Sequence, residues 1–184
     1  MRDEGVLAAN GALIVRTGER TGRSPNDKFF VKREPSSKEI WWGDMNVPIS
    51  EEVFDHLHDR ATSYLQNRDL FVFDGFAGAH EDYRLPLRVI AQKAWHGLFS
   101  HTLFRRPTQS ELDNFEPQFT VIDAMDHVCA GKKDGVNSGT YVVVDMERKL
   151  LVISGSGYGG EIKKSIFTIM NYLLPLQGVL SMHC

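Results

Sequence analysis

The stretch "GYGGEIKKSIFTIMNYLLP", residues 157–175, decides how the chain reads. Ile162, Ile166, Ile169, Met170, Leu173 and Leu174 recur at i, i+4, i+7 and i+8, the signature of a helix with one buried stripe. Pro175 is expected to end it. A helix start has unpaired N–H groups and a partial positive charge, so acidic residues are favoured there and cations are not. Glu161 obeys that rule, and the adjacent Lys163 and Lys164 break it. Two readings are open. The amines reach solvent while their stems cover apolar surface, or they face an anion. Four glycines in "GSGYGGE" favour the second, because they let backbone and ligand approach closely. A lysine crowded by another cation also loses its proton more readily, so a neutral amine can act as base or metal ligand.

Around this helix the pattern is rich in strands. "ALIVRTG", "FFVKR", "DLFVFDGFAG", "LPLRVIAQ", "FTVIDAM", "TYVVVDM" and "KLLVISG" all read as strands, the last two joined by a turn near Glu147–Lys149. Ser50 reads as the N-cap of a helix running to about Gln66, with Glu51 and Glu52 in its first turn and Val53, Phe54, Leu57, Ala61, Tyr64 and Leu65 on its apolar face. "KAWHGLFSHTLF" is predicted helical, with Trp95, Leu98, Phe99, Thr102 and Leu103 as its stripe. Trp41 and Trp42 are expected to pin an irregular segment to the core. The expected fold class is α/β, a mixed sheet with flanking helices.

With 184 residues, 42% hydrophobic and 24% charged, the chain has the composition of one soluble globular domain. A formal net charge of −3 argues against a general nucleic-acid binder. No apolar run approaches the roughly 20 residues of a membrane span, and the N-terminus lacks a basic-then-apolar secretory pattern. Cys129 and Cys184 have no CxxC spacing and read as reduced thiols, so a cytoplasmic protein is expected. The terminal "GVLSMHC" reads as an interrupted strand, the mark of a fragment.

A second candidate site is the loop "ERTGRSPNDK", residues 19–28. Arg23, between Gly22 and Ser24–Pro25, is either an ordinary loop arginine or a guanidinium fork held stiffly for a carboxylate or phosphate. The loop is not of the GxxxxGK[ST] phosphate-binding type. His56 and His58 face different ways on their helix, and His80, His96, His101 and His127 lack ligand spacing.

Taken together, "GRSPNDKFFV", "VNSGTYVVVDM" and above all "YGGEIKKSIFTIMNYLLPLQGVLSMHC" resemble the ATP-dependent phosphoenolpyruvate carboxykinases over nearly the whole chain. The resemblance implies decarboxylation of oxaloacetate and phosphorylation of the enolate by ATP, giving phosphoenolpyruvate, carbon dioxide and ADP, with manganese or magnesium. It implies substrate-carboxylate and carbon dioxide binding by Arg23, a place beside the substrate for Tyr158, and phosphate contact by Lys163. It also implies metal ligation and ATP binding by Lys164, as a neutral amine, and by His183. Lys163 and Lys164 are the implied catalytic lysines. In that family a phosphate-binding loop, a further aspartate and another arginine follow the "SMHC" block. Residues 1–184 are therefore expected to form the N-terminal substrate-binding domain, to lack the nucleotide-binding domain and to be inactive alone. A non-catalytic anion- or metabolite-binding module of the same fold is the alternative reading, and an interaction protein without a ligand site is the third.

Overall fold

The computed structural model describes residues 4–181. In chain order the elements are β1 (Gly5–Leu7), β2 (Leu13–Val15), β3 (Lys28–Val31), β4 (Val47–Ile49), α1 (Glu51–Leu65), β5 (Phe71–Ala77), β6 (Leu85–Ala91), α2 (Ala94–Leu103), α3 (Gln109–Leu112), β7 (Phe119–Ala124), β8 (Tyr141–Asp145), β9 (Leu150–Ser154) and α4 (Gly160–Leu176). β1 and β2 make an antiparallel ribbon, and the other strands form one mixed sheet in the order β4-β3-β8-β9-β7-β6-β5.

Burial on both faces sets the centre of this sheet. Every residue of β8 is buried, as its unbroken apolar run requires. Val142 and Val144 join Leu151 and Ile153 of β9 on one face, under Ile162, Ile166 and Ile169 of α4. Tyr141, Val143 and Val152 point to the other face, under Phe54, Leu57 and Ala61 of α1. The Tyr141 hydroxyl donates to the Leu57 carbonyl at 3.0 Å and so straps α1 to the sheet. Ser50 caps α1 by accepting the Val53 N–H, and the predicted β8–β9 turn forms. The Asp145 carboxylate accepts the N–H groups of Glu147 and Arg148 there, each at 3.0 Å.

Both outer strands carry a local stop. On β4, Ile49 turns its carbonyl toward β3, where it accepts the Lys32 N–H. Pro48 therefore faces outward, where its missing N–H leaves no donor. On β5, Phe76 exchanges two backbone hydrogen bonds with Arg105, both 2.9 Å.

Four expectations need correction. Pro175 lies inside α4, because its fixed φ suits a helix and the lost N–H removes one bond in the last turn. Gly178 ends the helix instead, at φ 72. Its N–H bonds to Pro175 and that of Val179 to Leu174, a Schellman stop. Trp41 is 90% exposed, whereas Trp42 packs on the core and donates its indole N–H to Ser37. α2 forms, but the side chains it buries are His96 and Ser100, and Leu98 is 50% exposed. Residues 178–181 form no strand, and 182–184 lie outside the described residues. β4 was not expected at all, its three residues being split by a proline.

Leu57→Ala is expected to lower unfolding stability by about 2–5 kcal/mol, since it opens a cavity under α1. Leu98→Ala on α2 is expected to change it by less than about 1 kcal/mol. Urea titration of both variants checks the assignment of faces.

Candidate functional site

Strand direction brings distant residues together. β3 runs parallel to β8, and β8 is antiparallel to β9. Lys28 is therefore level with Val142, and Val142 with Ile153. The entry to β3 and the exit from β9 lie at one end of the sheet, beside the carboxyl end of β7, where Ala124 pairs with Ser154. The loop holding Arg23 precedes β3, and the turn leading into α4 follows β9. The two predicted sites, about 140 residues apart in sequence, are neighbours in space.

The turn after β9 needs its glycines. A Cβ on Gly157 would lie 2.4 Å from Met125 Cε and 2.6 Å from the Thr17 carbonyl oxygen. A Cβ on Gly160 would strike the Tyr158 ring at 2.3 Å, so the ring lies against the first turn of α4. Tyr158 itself is half-buried.

The two segments join through Glu161. Its carboxylate is buried, and Oε1 accepts the Ser24 N–H at 2.6 Å. Lys28 donates from Nζ to Thr168 Oγ1 at 2.7 Å, and Thr168 Oγ1 donates to the Lys164 carbonyl at 2.8 Å. Burial lowers the Lys28 pKa to about 8; the nearby charges of Arg23 and Lys164 add to this, and Glu161 opposes it. Burial likewise pushes the Glu161 carboxyl up, against the Ser24 N–H, Arg23 and Lys28. Arg23 and Lys28 thus lie in the field of one buried carboxylate, and Lys164 lies in that of Lys28. Lys164 is half-buried, with its amine 4.7 Å from the Phe167 ring centroid. Arg23 and Lys163 are exposed. A positive corner of this kind, at the N-terminus of a 17-residue helix, attracts anions.

Of the residues singled out in the sequence, Arg23, Tyr158 and Lys164 border this corner. Lys163 is one position further round the helix, on its solvent side, and His183 lies outside the described residues. Among the described residues no three His, Cys, Asp or Glu side chains are grouped as a metal site. Lys28 was missed, because a lysine opening a strand reads as an ordinary edge charge. His96 was also missed. Its Nδ1 forms an ion pair with Asp123 of β7 at 2.8 Å, and its Nε2–H donates to the Gly157 carbonyl at 3.2 Å. Both side chains are fully buried. The pair braces the peptide just before Tyr158.

A family model for phosphoenolpyruvate carboxykinase, ATP type, matches residues 1–184. The chain belongs to that family. The phosphoenolpyruvate carboxykinase (ATP) of Caldanaerobacter subterraneus subsp. tengcongensis is 54% identical over 183 residues. Phosphoenolpyruvate carboxykinase (ATP) 2 of Moorella thermoacetica is also 54% identical, and the Bacillus pumilus enzyme is 52% identical. In each case the whole chain is covered but only 35% of the relative, so the chain spans about a third of the length of these curated relatives. The resemblance carried by the helix block is borne out.

Burial alone would lower the His96 pKa, but the Asp123 carboxylate outweighs it, with the Gly157 carbonyl and Glu4 adding, and the net direction is upward from 6.5. A raised histidine pKa means that the folded state holds the proton more tightly. Its contribution to stability is fully present below about pH 6.5. It is lost as pH rises through the folded midpoint. Imidazole NMR is expected to give a His96 midpoint above 6.5 that falls in Asp123→Asn.

Proposed function

We propose that this chain is the substrate-binding part of an ATP-dependent phosphoenolpyruvate carboxykinase, a cytoplasmic enzyme that converts oxaloacetate and ATP to phosphoenolpyruvate, carbon dioxide and ADP. The observation that carries the proposal is the Ser24–Glu161 hydrogen bond, which joins the Arg23 loop to the first turn of α4, with Arg23 and Lys28 in the field of Glu161 and Lys164 in that of Lys28. In this reading the Arg23 fork holds a carboxylate of oxaloacetate, bidentate and directional. The Tyr158 ring walls the substrate beside the glycine turn. Loss of carbon dioxide leaves an enolate, and fixed positive charge lowers the energy of that anion most where water is excluded. Lys164 and Lys28 supply such charge from half-buried positions. Lys163, on the solvent side of the same turn, is assigned to the phosphates of ATP.

The nucleotide cradle is assigned to the part of the relatives' length that this chain does not span. Manganese or magnesium belongs to the same proposal, with Lys164 and His183 as ligands. Lys164 is the one proposed ligand among the described residues, and the charge of Lys28 is near it. Those residues alone do not fit a metal.

Oxalate, a stable mimic of the enolate's two oxygen-bearing carbons, is the probe. The 184-residue chain is expected to bind it, with Arg23→Ala weakening binding about tenfold or more, the effect of deleting a charged hydrogen-bond donor. In a whole carboxykinase carrying this sequence, Arg23→Ala is expected to lower kcat/KM for oxaloacetate roughly 10²-fold, with ATP affinity nearly unchanged. Calorimetry and steady-state kinetics check these. Full activity in Arg23→Ala would overturn the assignment.

A further inference from the structure

The loop carrying Arg23 is held at three points. Arg20 Nη2 donates to Ser138 Oγ at 3.1 Å, and Asn137 Nδ2 donates to the Asn26 carbonyl at 2.5 Å. These fix its two shoulders. Its apex is held by Glu161 through the Ser24 N–H. Ser24 and Glu161 are each 5% exposed. The 2.6 Å separation is short, as expected when a full negative charge accepts from an amide. A buried carboxylate is costly unless it is paired and hydrogen-bonded, and here Arg23 and Lys28 lie in its field. An acidic residue in the first turn has a sufficient local reason to exist in the helix dipole. That reason does not require burial, nor a bond to a loop 137 residues away.

We propose that Glu161 is a positioning residue for anion recognition: by tying the Ser24 amide to the first turn of α4 it holds the Arg23 guanidinium against Lys164, so that the two cations grip one dianion together. The inference rests on the reading of Arg23 as a carboxylate-binding residue. Glu161 acts on the ligand only through the loop, since its own charge repels an anion. Two opposed effects therefore follow from one side chain, and substitutions separate them. Glu161→Gln keeps the reach and an accepting oxygen but loses the charge. Glu161→Asp keeps the charge but is one methylene too short to reach Ser24 from the same backbone.

The experiment uses the 184-residue chain as wild type, Glu161→Gln and Glu161→Asp, with amide hydrogen exchange at Arg23 and Ser24 and with oxalate and acetate titrations by NMR. Positioning predicts that Glu161→Asp exchanges the Ser24 amide about tenfold faster and binds oxalate about tenfold more weakly, the cost of losing one charge-assisted bond. Its acetate affinity should move by less than about threefold, because a monoanion needs only one of the two cations. Glu161→Gln should keep Ser24 protection and bind oxalate as tightly as wild type or tighter. The opposite order, with Glu161→Gln impaired and Glu161→Asp intact, overturns the inference, as does unchanged Ser24 exchange in Glu161→Asp. Failure of the wild type to bind oxalate would overturn the carboxylate reading of Arg23, and the Ser24 exchange would still judge the tie itself.

Discussion

The reversal of direction between β8 and β9 is the constraint on which the rest of the molecule depends. In an all-parallel sheet, the loop entering one strand and the loop leaving its neighbour lie at opposite ends. Here the antiparallel β8–β9 pair at the centre is flanked by parallel pairs, β3 with β8 on one side and β9 with β7 on the other. The start of β3 and the end of β9 therefore share an edge of the sheet. The hairpin is fixed from both sides. β8 is apolar enough to bury on both faces, and Asp145 closes the turn by accepting two backbone amides while Arg33 Nε lies 3.3 Å from its other oxygen. Shifting that register by one residue would exchange the residues under α1 with those under α4, and Lys28 would no longer stand beside the glycine turn.

On that frame the chain assembles like charges that would otherwise repel. Lys28 lies partly under the helix, tied to Thr168, with its ammonium 5.1 Å from the Phe30 ring centroid. Burial makes its charge more costly and at the same time less screened. A cation in that setting acts over a longer range than one in water, and the corner is positive although the chain carries net negative charge. The His96–Asp123 pair has a different character. It is nearly neutral as a unit, links α2 to β7 and holds the Gly157 carbonyl through His96 Nε2, so it stiffens the turn without adding to the field.

Much of this was legible from local pattern. Runs rich in branched apolar residues marked β7, β8 and β9, and Ser50 with its two glutamates marked the start of α1. Of the two lysines set against the helix dipole, Lys164 marked the positive corner, while Lys163 faces solvent. What was hidden is non-local. The inner face of α2 is chosen by an ion pair with a residue 27 positions away, which outweighs the stripe of Leu98 and Leu103. Glu161 had a complete local explanation in the helix dipole, so nothing in the sequence announced its bond to Ser24. Lys28 looked like a strand-edge charge because its burial depends on where α4 comes to lie. Pro175 misled because a proline is a strong signal in a helix interior and a weak one in the last turn, where Gly178 makes the stop.

The two outer strands have a consequence for how the molecule keeps to itself. A sheet can grow indefinitely when its margin offers a row of free donors and acceptors to another chain. On the β4 side the outward position is Pro48, which has nothing to donate. On the β5 side Arg105 occupies both backbone groups of Phe76 before a foreign strand can reach them. Val72 nearby is 60% exposed, so the apolar temptation to zip up is present while part of the hydrogen-bonding track is closed. A seven-stranded sheet with apolar side chains at its rim thus has a built-in defence against fibrous stacking.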